Sequence, residues 1–347
     1  MRRVIRRALV VGALALLLAA GVAMAAAPGG PRLALVKLTT KPTRLELMTV
    51  DPNGGLPLRL AGGGRRARPL PFFFAPLSWA ADGGQLAFSA IVASKGGDGP
   101  DFRIYLVNAD GGGLRPVPKT SNGYGPVLSP DGHTLAFTRF RELDGAPGKI
   151  GGKMREAFFE GATLWTIDLD TGKQRQLTPW RNGLEYHASS FSPDGTTMLA
   201  TRSDDRRTDT PEPVAIRLDS GGVTRLLVDG LFPVYSPDGS KIAVFREVGE
   251  DIDLYVLDVA GGSVQRLTRT PGNVELFASW DPSGERLAFM RFSSADSEPA
   301  SLGIGDSLMQ VNADGTCPTK TLAAPRTGFY VPAWQPGPGR EAGRIAC

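Results

Sequence analysis

The sequence predicts an all-β protein: six four-stranded antiparallel blades arranged in a ring, with the N- and C-terminal strands sharing one blade. Three observations predict it. An aromatic or apolar anchor leads six times into a tight turn of the Ser-Pro-Asp-Gly type, at Trp79, Leu128, Phe191, Tyr235, Trp280 and Trp334. The anchors lie 49, 63, 44, 45 and 54 residues apart, and a four-stranded blade takes about 40–45 residues, so the longer intervals require insertions. Finally, a strand copy precedes the first anchor at Leu47-Met-Thr-Val-Asp, and no complete blade follows the last.

The leader comes first. Arg2, Arg3, Arg6 and Arg7 precede an uncharged apolar run from Ala8 to Ala20, and Ala23-Met24-Ala25 supplies a small-x-small cleavage site. This is the pattern of a secretory signal peptide over residues 1–27, leaving 28–347 as a single domain. A retained membrane anchor is the alternative, although the run is shorter than the ~20 residues of a spanning helix. The chain carries 39 basic and 35 acidic residues, and the leader holds four of the arginines, so the remainder is balanced at 35 of each. No basic excess is left to argue for a nucleic-acid partner.

Within each unit the first, inner strand ends at the anchor. The second strand alternates, as in Leu86-Ala-Phe, Leu135-Ala-Phe, Ile242-Ala-Val and Leu287-Ala-Phe. Large residues on one side and alanine on the other suit sheets packed face to face. The third strand recurs as Ile104-Tyr-Leu-Val-Asn, Leu164-Trp-Thr-Ile-Asp, Leu254-Tyr-Val-Leu-Asp and Leu308-Met-Gln-Val-Asn, with a weaker copy at Val214-Ala-Ile-Arg-Leu. Gly-rich and Asp-Gly turns follow, supplying the positive φ that tight hairpins need. Outer strands such as Arg175-Gln-Leu-Thr and Gln265-Arg-Leu-Thr complete each blade. For the shared terminal blade the second strand has two candidates, Arg32-Leu-Ala-Leu-Val and Arg344-Ile-Ala-Cys; the first is favoured. Cys317 and Cys347, an even count in an exported chain, are expected to form a disulfide fastening the C-terminal tail, with two unpaired thiols as the alternative.

These turns and strands resemble the TolB-type repeat of WD40-like β-propellers, over nearly all of 28–347. The resemblance implies a propeller fold. Members of the TolB family carry an α/β domain before the propeller, and here little chain precedes the first blade. The same consideration leaves no room for the hydrolase domain of prolyl-oligopeptidase-type propellers.

All length variation falls on one face of the predicted disc, in Arg139–Gly161, Arg202–Glu212 and Arg291–Asp306, and variable loops on one face carry function. The crossings into the inner strands carry aromatic residues. Tyr124, His187 and Tyr330 lie four residues before their anchors, beside Phe74, Tyr186 and Phe329. These six are the candidate channel-mouth residues for a peptide or sugar; packing between crossings is the competing reading. Lys149, Lys153, Arg155, Phe158 and Phe159 form a candidate loop arm, with a short amphipathic helix expected over 153–160. Arg65, Arg66 and Arg68 make a second basic loop.

Catalytic chemistry is largely missing. Of two histidines, His133 falls in a turn and His187 at the predicted mouth, too few for a zinc site. No Gly-x-Ser-x-Gly elbow or Walker loop is present. Gly305-Asp-Ser-Leu matches an esterase motif but enters a third strand. Asp131, Asp194 and Asp238 read as turn formers because one is required per blade. No metal ligand set is specified; calcium in the channel stays open. The expectation is an exported, periplasmic or extracellular, monomeric propeller without catalytic residues, binding a protein or peptide of the cell envelope. The alternatives are a lyase acting on an extracellular glycan through His187 and Tyr186, and a sensor of a sugar or metal.

Overall fold

The computed structural model describes residues 30–40, 43–52, 56–62, 70–71, 76–93, 100–142, 159–204, 208–293, 307–322, 327–337 and 343–347. The expected leader, Phe74, the Arg65–Arg68 cluster, Lys149, Lys153, Arg155 and Phe158 lie outside them. All regular structure among the described residues is β.

Among the described residues the strands form four hydrogen-bonded sheets, of four, five, eight and eight strands, and single parallel bridges, Ala162↔Glu185 and Ile252↔Val274, join the antiparallel halves of the two larger ones, so the antiparallel groups are named A to F below. Sheet A runs in the order Thr327–Trp334, Leu33–Thr40, Thr43–Val50, Leu58–Gly62. Its inner strand is C-terminal and its other three are N-terminal, so Leu33–Thr40, the favoured candidate, is the second strand. In sheet B, Leu70–Pro71 and Ser78–Trp79 together edge Gln85–Ala93, followed by Pro100–Asn108 and Arg115–Pro116. Sheet C comprises Gly123–Leu128, Thr134–Glu142, Phe159–Asp168 and Gln174–Gln176. Sheet D comprises Leu184–Phe191, Thr197–Asp204, Thr208–Arg217 and Val223–Arg225. Sheet E comprises Leu231–Tyr235, Lys241–Val248, Asp251–Asp258 and Val264–Arg266. Sheet F comprises Asn273–Trp280, Arg286–Ser293, Ser307–Asn312 and Thr319–Leu322.

Two expectations are corrected. Arg202–Glu212 is not a loop: the ladder continues through Arg202↔Glu212 and Asp204↔Thr208, held by a cross-strand ion pair of 2.9 Å between Arg202 and Glu212. Phe159, assigned to the loop arm, opens the third strand of sheet C and pairs with Glu142; pairing along the hairpin satisfies backbone groups that a loop would leave to water.

The Ser-Pro-Asp-Gly turns are self-contained. Ser129, Ser192 and Ser236 donate their hydroxyls to Asp131, Asp194 and Asp238. The same carboxylates accept the backbone N–H of His133, Thr196 and Ser240 at 3.0–3.1 Å. Gly132, Gly195 and Gly239 take φ of 75°, 71° and 73°. The repeated aspartates thus build turns, and His133 only bridges two surface turns through Asp170 at 2.7 Å.

Packing is between sheets. Apolar clusters join A to B around Val36, Leu47, Trp79 and Phe88, and B to C around Ile104, Leu106, Leu135 and Phe137. They continue from C to D, D to E, E to F, and from F back to A through Ala288, Met290, Leu33 and Leu35. The alanine of each alternating strand lets the neighbouring sheet approach.

Polar latches repeat along the same seams. Where the second strand carries a hydroxyl after its Leu-Ala-Phe-like triplet, it accepts a backbone N–H of the next inner strand. Ser89 receives Gly125 at 3.0 Å, Thr138 receives Ala188 at 3.0 Å, and Thr201 receives Phe232 at 2.8 Å. Where the anchor is tryptophan, the indole N–H can reach back to the preceding sheet: Trp280 to the Val234 carbonyl at 3.1 Å, and Trp79 to Ala333 at 3.2 Å. The Trp79 bond spans 254 residues of sequence, and Gln335 adds a second link between the chain ends by donating to the Gly83 carbonyl at 2.6 Å.

The disulfide forms between Cys317 and Cys347. The tail it holds lies on the last turn of sheet F, where Asn312 and Ile345 exchange two hydrogen bonds of 2.7 and 3.0 Å and Arg344 pairs with Asp314.

Candidate functional site at the inner-strand entries

Inner strands of the repeats share a device that no motif announces. The ladder between inner and second strand shifts register in sheets A, C, D, E and F. The residue three before the anchor takes positive φ in four of them: Gly125 at 59°, Phe232 at 50°, Phe277 at 62° and Val331 at 48°. Left-handed backbone is costly for residues with a Cβ, by roughly 1–3 kcal/mol each, and bulky or branched ones are outliers there. Packing holds them. The Phe232 and Phe277 rings meet at 5.0 Å and, with Val331, Pro76 and Leu77, line a cavity of about 100 Å³. That volume is well below the ~300–1,000 Å³ of ligand pockets. Its polar groups are engaged, since Ser279 accepts the Trp334 N–H at 2.9 Å and Ser189 donates to the His187 carbonyl at 3.4 Å. The hydroxyls of its lining are those of Ser189 and Ser279.

Two of the expected mouth residues come together between sheets C and D. The Tyr124 and His187 rings lie 6.4 Å apart in a T-shaped arrangement, and Phe140 completes the group at 5.5 Å from Tyr124 and 6.2 Å from His187. His187 Nε2 lies 3.1 Å from Glu185 Oε2, and both side chains are partly exposed. The hydrogen bond from His187 holds the Glu185 carboxyl below its ordinary pKa, while burial pushes the Tyr124 phenol up. The group offers a carboxylate, an imidazole and aromatic faces on one wall.

Tyr186 is not on that wall. Strand alternation buries Leu184, Tyr186 and Ala188 in the C–D seam, where the Tyr186 ring lies 6.0 Å from the Arg202 guanidinium. Burial raises its pKa. Phe329 and Tyr330 sit on the inner strand of sheet A opposite Lys37 and Val36. Ser307 of the esterase-like motif is buried in a ladder opposite Arg291. Phe140, Glu185, Phe232 and Phe277 escaped the sequence reading. Counting four and five residues back from an anchor presumes a straight strand, and the register shift at the third residue breaks that count.

An arginine series was missed too, although its spacing is plain. Arg139, Arg202, Arg246 and Arg291 each stand two residues beyond a Leu-Ala-Phe-like triplet. Arg202 pairs with Glu212 and Asp204, Arg246 with Asp229, and Arg291 with the fully buried Glu275.

No protein-family model matches the chain. The TolB of the Tol-Pal system from Anaeromyxobacter dehalogenans strain 2CP-C is 29% identical over 226 residues, 62% of this chain and 49% of that protein. An uncharacterized protein of Agrobacterium fabrum is 25% identical over 202 residues, 54% of this chain and 61% of that one. The chain thus spans about half to three fifths of these relatives' length. The crystal structure of TolB from Acinetobacter baumannii superposes with a TM-score of 0.64 at 22% identity, covering 88% of this chain and 67% of that one. The fold is that of a TolB-like β-propeller. An oligogalacturonate lyase from Vibrio parahaemolyticus shares the propeller fold at a TM-score of 0.50 and 13% identity, over 86% of this chain and 75% of that one. In this TolB-like propeller the turns and alternating strands are scaffold, and the inner-strand entries carry the distinctive side chains.

Proposed function

We propose that residues 28–347 form a closed six-bladed β-propeller, exported by the 1–27 leader, that binds a protein or peptide partner in the cell envelope without catalysing a reaction. Six seams linking sheet A through F and back to A support the ring. Closure removes the exposed sheet edges of an open array. The observation carrying the binding reading is the Tyr124–Phe140–His187 group beside Glu185: partly exposed aromatic rings with one hydrogen-bonding pair. The similarity to TolB proteins of the Tol-Pal system agrees with an envelope role. The protein acts as a monomer in the periplasm or outside the cell.

The test is recovery of envelope proteins on immobilised wild type, Tyr124→Ala and His187→Ala, with unfolding temperatures confirming that both variants fold. Loss of the same partner from both variants is expected; equal recovery removes the mouth site. The Glu185–His187 pair beside Tyr124 also favours a second reading, a glycan lyase using His187 for proton transfer. Products absorbing in the ultraviolet from a polysaccharide panel, abolished by His187→Ala, would replace the binding reading with that one.

A further inference from the structure

The arginine series contains its own control. Each member occupies the same repeat position and lies over an aromatic ring of its sheet: Arg139 at 4.4 Å from Trp165, Arg202 at 6.0 Å from Tyr186, Arg246 at 4.9 Å from Tyr255, Arg291 at 5.9 Å from Phe289. Three have a carboxylate at 2.7–2.9 Å. Arg139 has none among the described residues. Its Nη2 donates to the Lys119 carbonyl at 2.6 Å and to Gln174 Oε1 at 3.3 Å, both uncharged. The Arg139 guanidinium lies between the Phe137 and Trp165 rings, and burial lowers its pKa.

The imbalance extends along the strand. Arg141, two residues on, is exposed, rests 5.0 Å from the Trp180 ring, and has no carboxylate partner among the described residues either. Lys119 is exposed and its Nζ donates to the Gly172 carbonyl at 3.3 Å. Alternate residues of a strand share one face, so Arg139 and Arg141 stand about 7 Å apart along it. Carboxylates at alternate positions of an extended peptide have that same spacing. Arginine stacked over tryptophan suits a carboxylate.

Resting on the reading that the propeller binds a protein, we propose that this flank of sheet C receives an extended acidic segment of the partner. Its alternating Asp or Glu side chains would supply to Arg139 and Arg141 what Glu212, Asp229 and Glu275 supply in the other repeats.

The experiment titrates the full-length protein with a synthetic Glu-Ser-Glu-Ser-Glu-Ser-Glu-Ser peptide, reading tryptophan fluorescence at low and high salt. Saturable binding that weakens with salt is expected, reduced about tenfold or more in Arg139→Gln and in Arg141→Gln. Arg246→Gln, at an already neutralised position, should change affinity less than about twofold, and unfolding temperatures verify folding. Absence of wild-type binding, unchanged affinity in Arg139→Gln, or equal binding of a Lys-Ser peptide overturns the proposal. Tighter binding of an oligouronate than of the peptide overturns it in favour of an acidic glycan. Peptide titration reads the sheet C flank and recovery of envelope proteins by the mouth variants reads the mouth, so a failed mouth site and a failed acidic-peptide flank give different results.

Discussion

Replacing Arg291 with methionine tests whether the seams depend on charge neutralisation. The Glu275 carboxylate has 0% exposure. It receives Nε and Nη2 of Arg291 at 2.9 and 2.7 Å, the Thr270 hydroxyl at 3.0 Å, and the Thr268 hydroxyl. Removing one partner of a buried pair costs about 3–5 kcal/mol, because the remaining charge stays buried. The two threonines keep part of the solvation, which places Arg291→Met near ~3 kcal/mol. At about 2–4 °C per kcal/mol, unfolding should come about 6–12 °C earlier. Replacing both partners by apolar residues of similar size is far milder, so Arg291→Met with Glu275→Leu should recover to within about 1 kcal/mol of wild type. The assay is urea unfolding, with a lowered midpoint and an unchanged slope. A loss under about 1 kcal/mol in the single variant, or a double variant as weak as the single, would refute the electrostatic account and leave side-chain volume as the cause.

Trp79→Phe removes the indole bond to Ala333 while keeping the ring. It should cost about 1 kcal/mol and speed amide exchange in Leu33–Thr40 and Thr327–Trp334 before other strands; uniform acceleration would contradict a local closure role. Cys347→Ser releases a loop of 30 residues and should cost about 3–4 kcal/mol by chain entropy, checked by thermal unfolding with and without reductant. Asp238 is held down to about 2 by hydrogen bonds from Ser236 and Ser240. A depressed folded pKa stabilises above the unfolded value near ~3.9 and is lost as pH falls through the folded value. The stability gap between wild type and Asp238→Asn should therefore close between about pH 4 and pH 2, and a gap independent of pH would be the contrary result.

Much of the scaffold was legible because its causes are local. Ser129-Pro-Asp-Gly bonds itself into a turn, and Leu135-Ala-Phe, a pattern recurring after such turns, reads as an alternating strand. The placement of Leu33–Thr40 beside Thr327–Trp334 followed from counting strands. The candidate site was half legible. Tyr124 and His187 lie together, 6.4 Å apart, but Tyr186 was placed with them when alternation sends it into the C–D seam. The extension of Arg202–Glu212 into a ladder was missed because the stabilising ion pairs lie across strands and leave no contiguous motif.

The sequence by itself determined the β class, the repeat, the turns and the terminal strands that share a sheet, since turn chemistry and period-2 burial act over a few residues. Tertiary structure alone decided that Phe232, Phe277 and Val331 are forced to positive φ at the inner-strand entries, that Thr201 and Trp79 latch neighbouring sheets, and that Arg139 lacks the carboxylate its counterparts have. Those features depend on which side chains two sheets bring into contact across dozens to hundreds of residues, and a linear pattern carries no record of that contact.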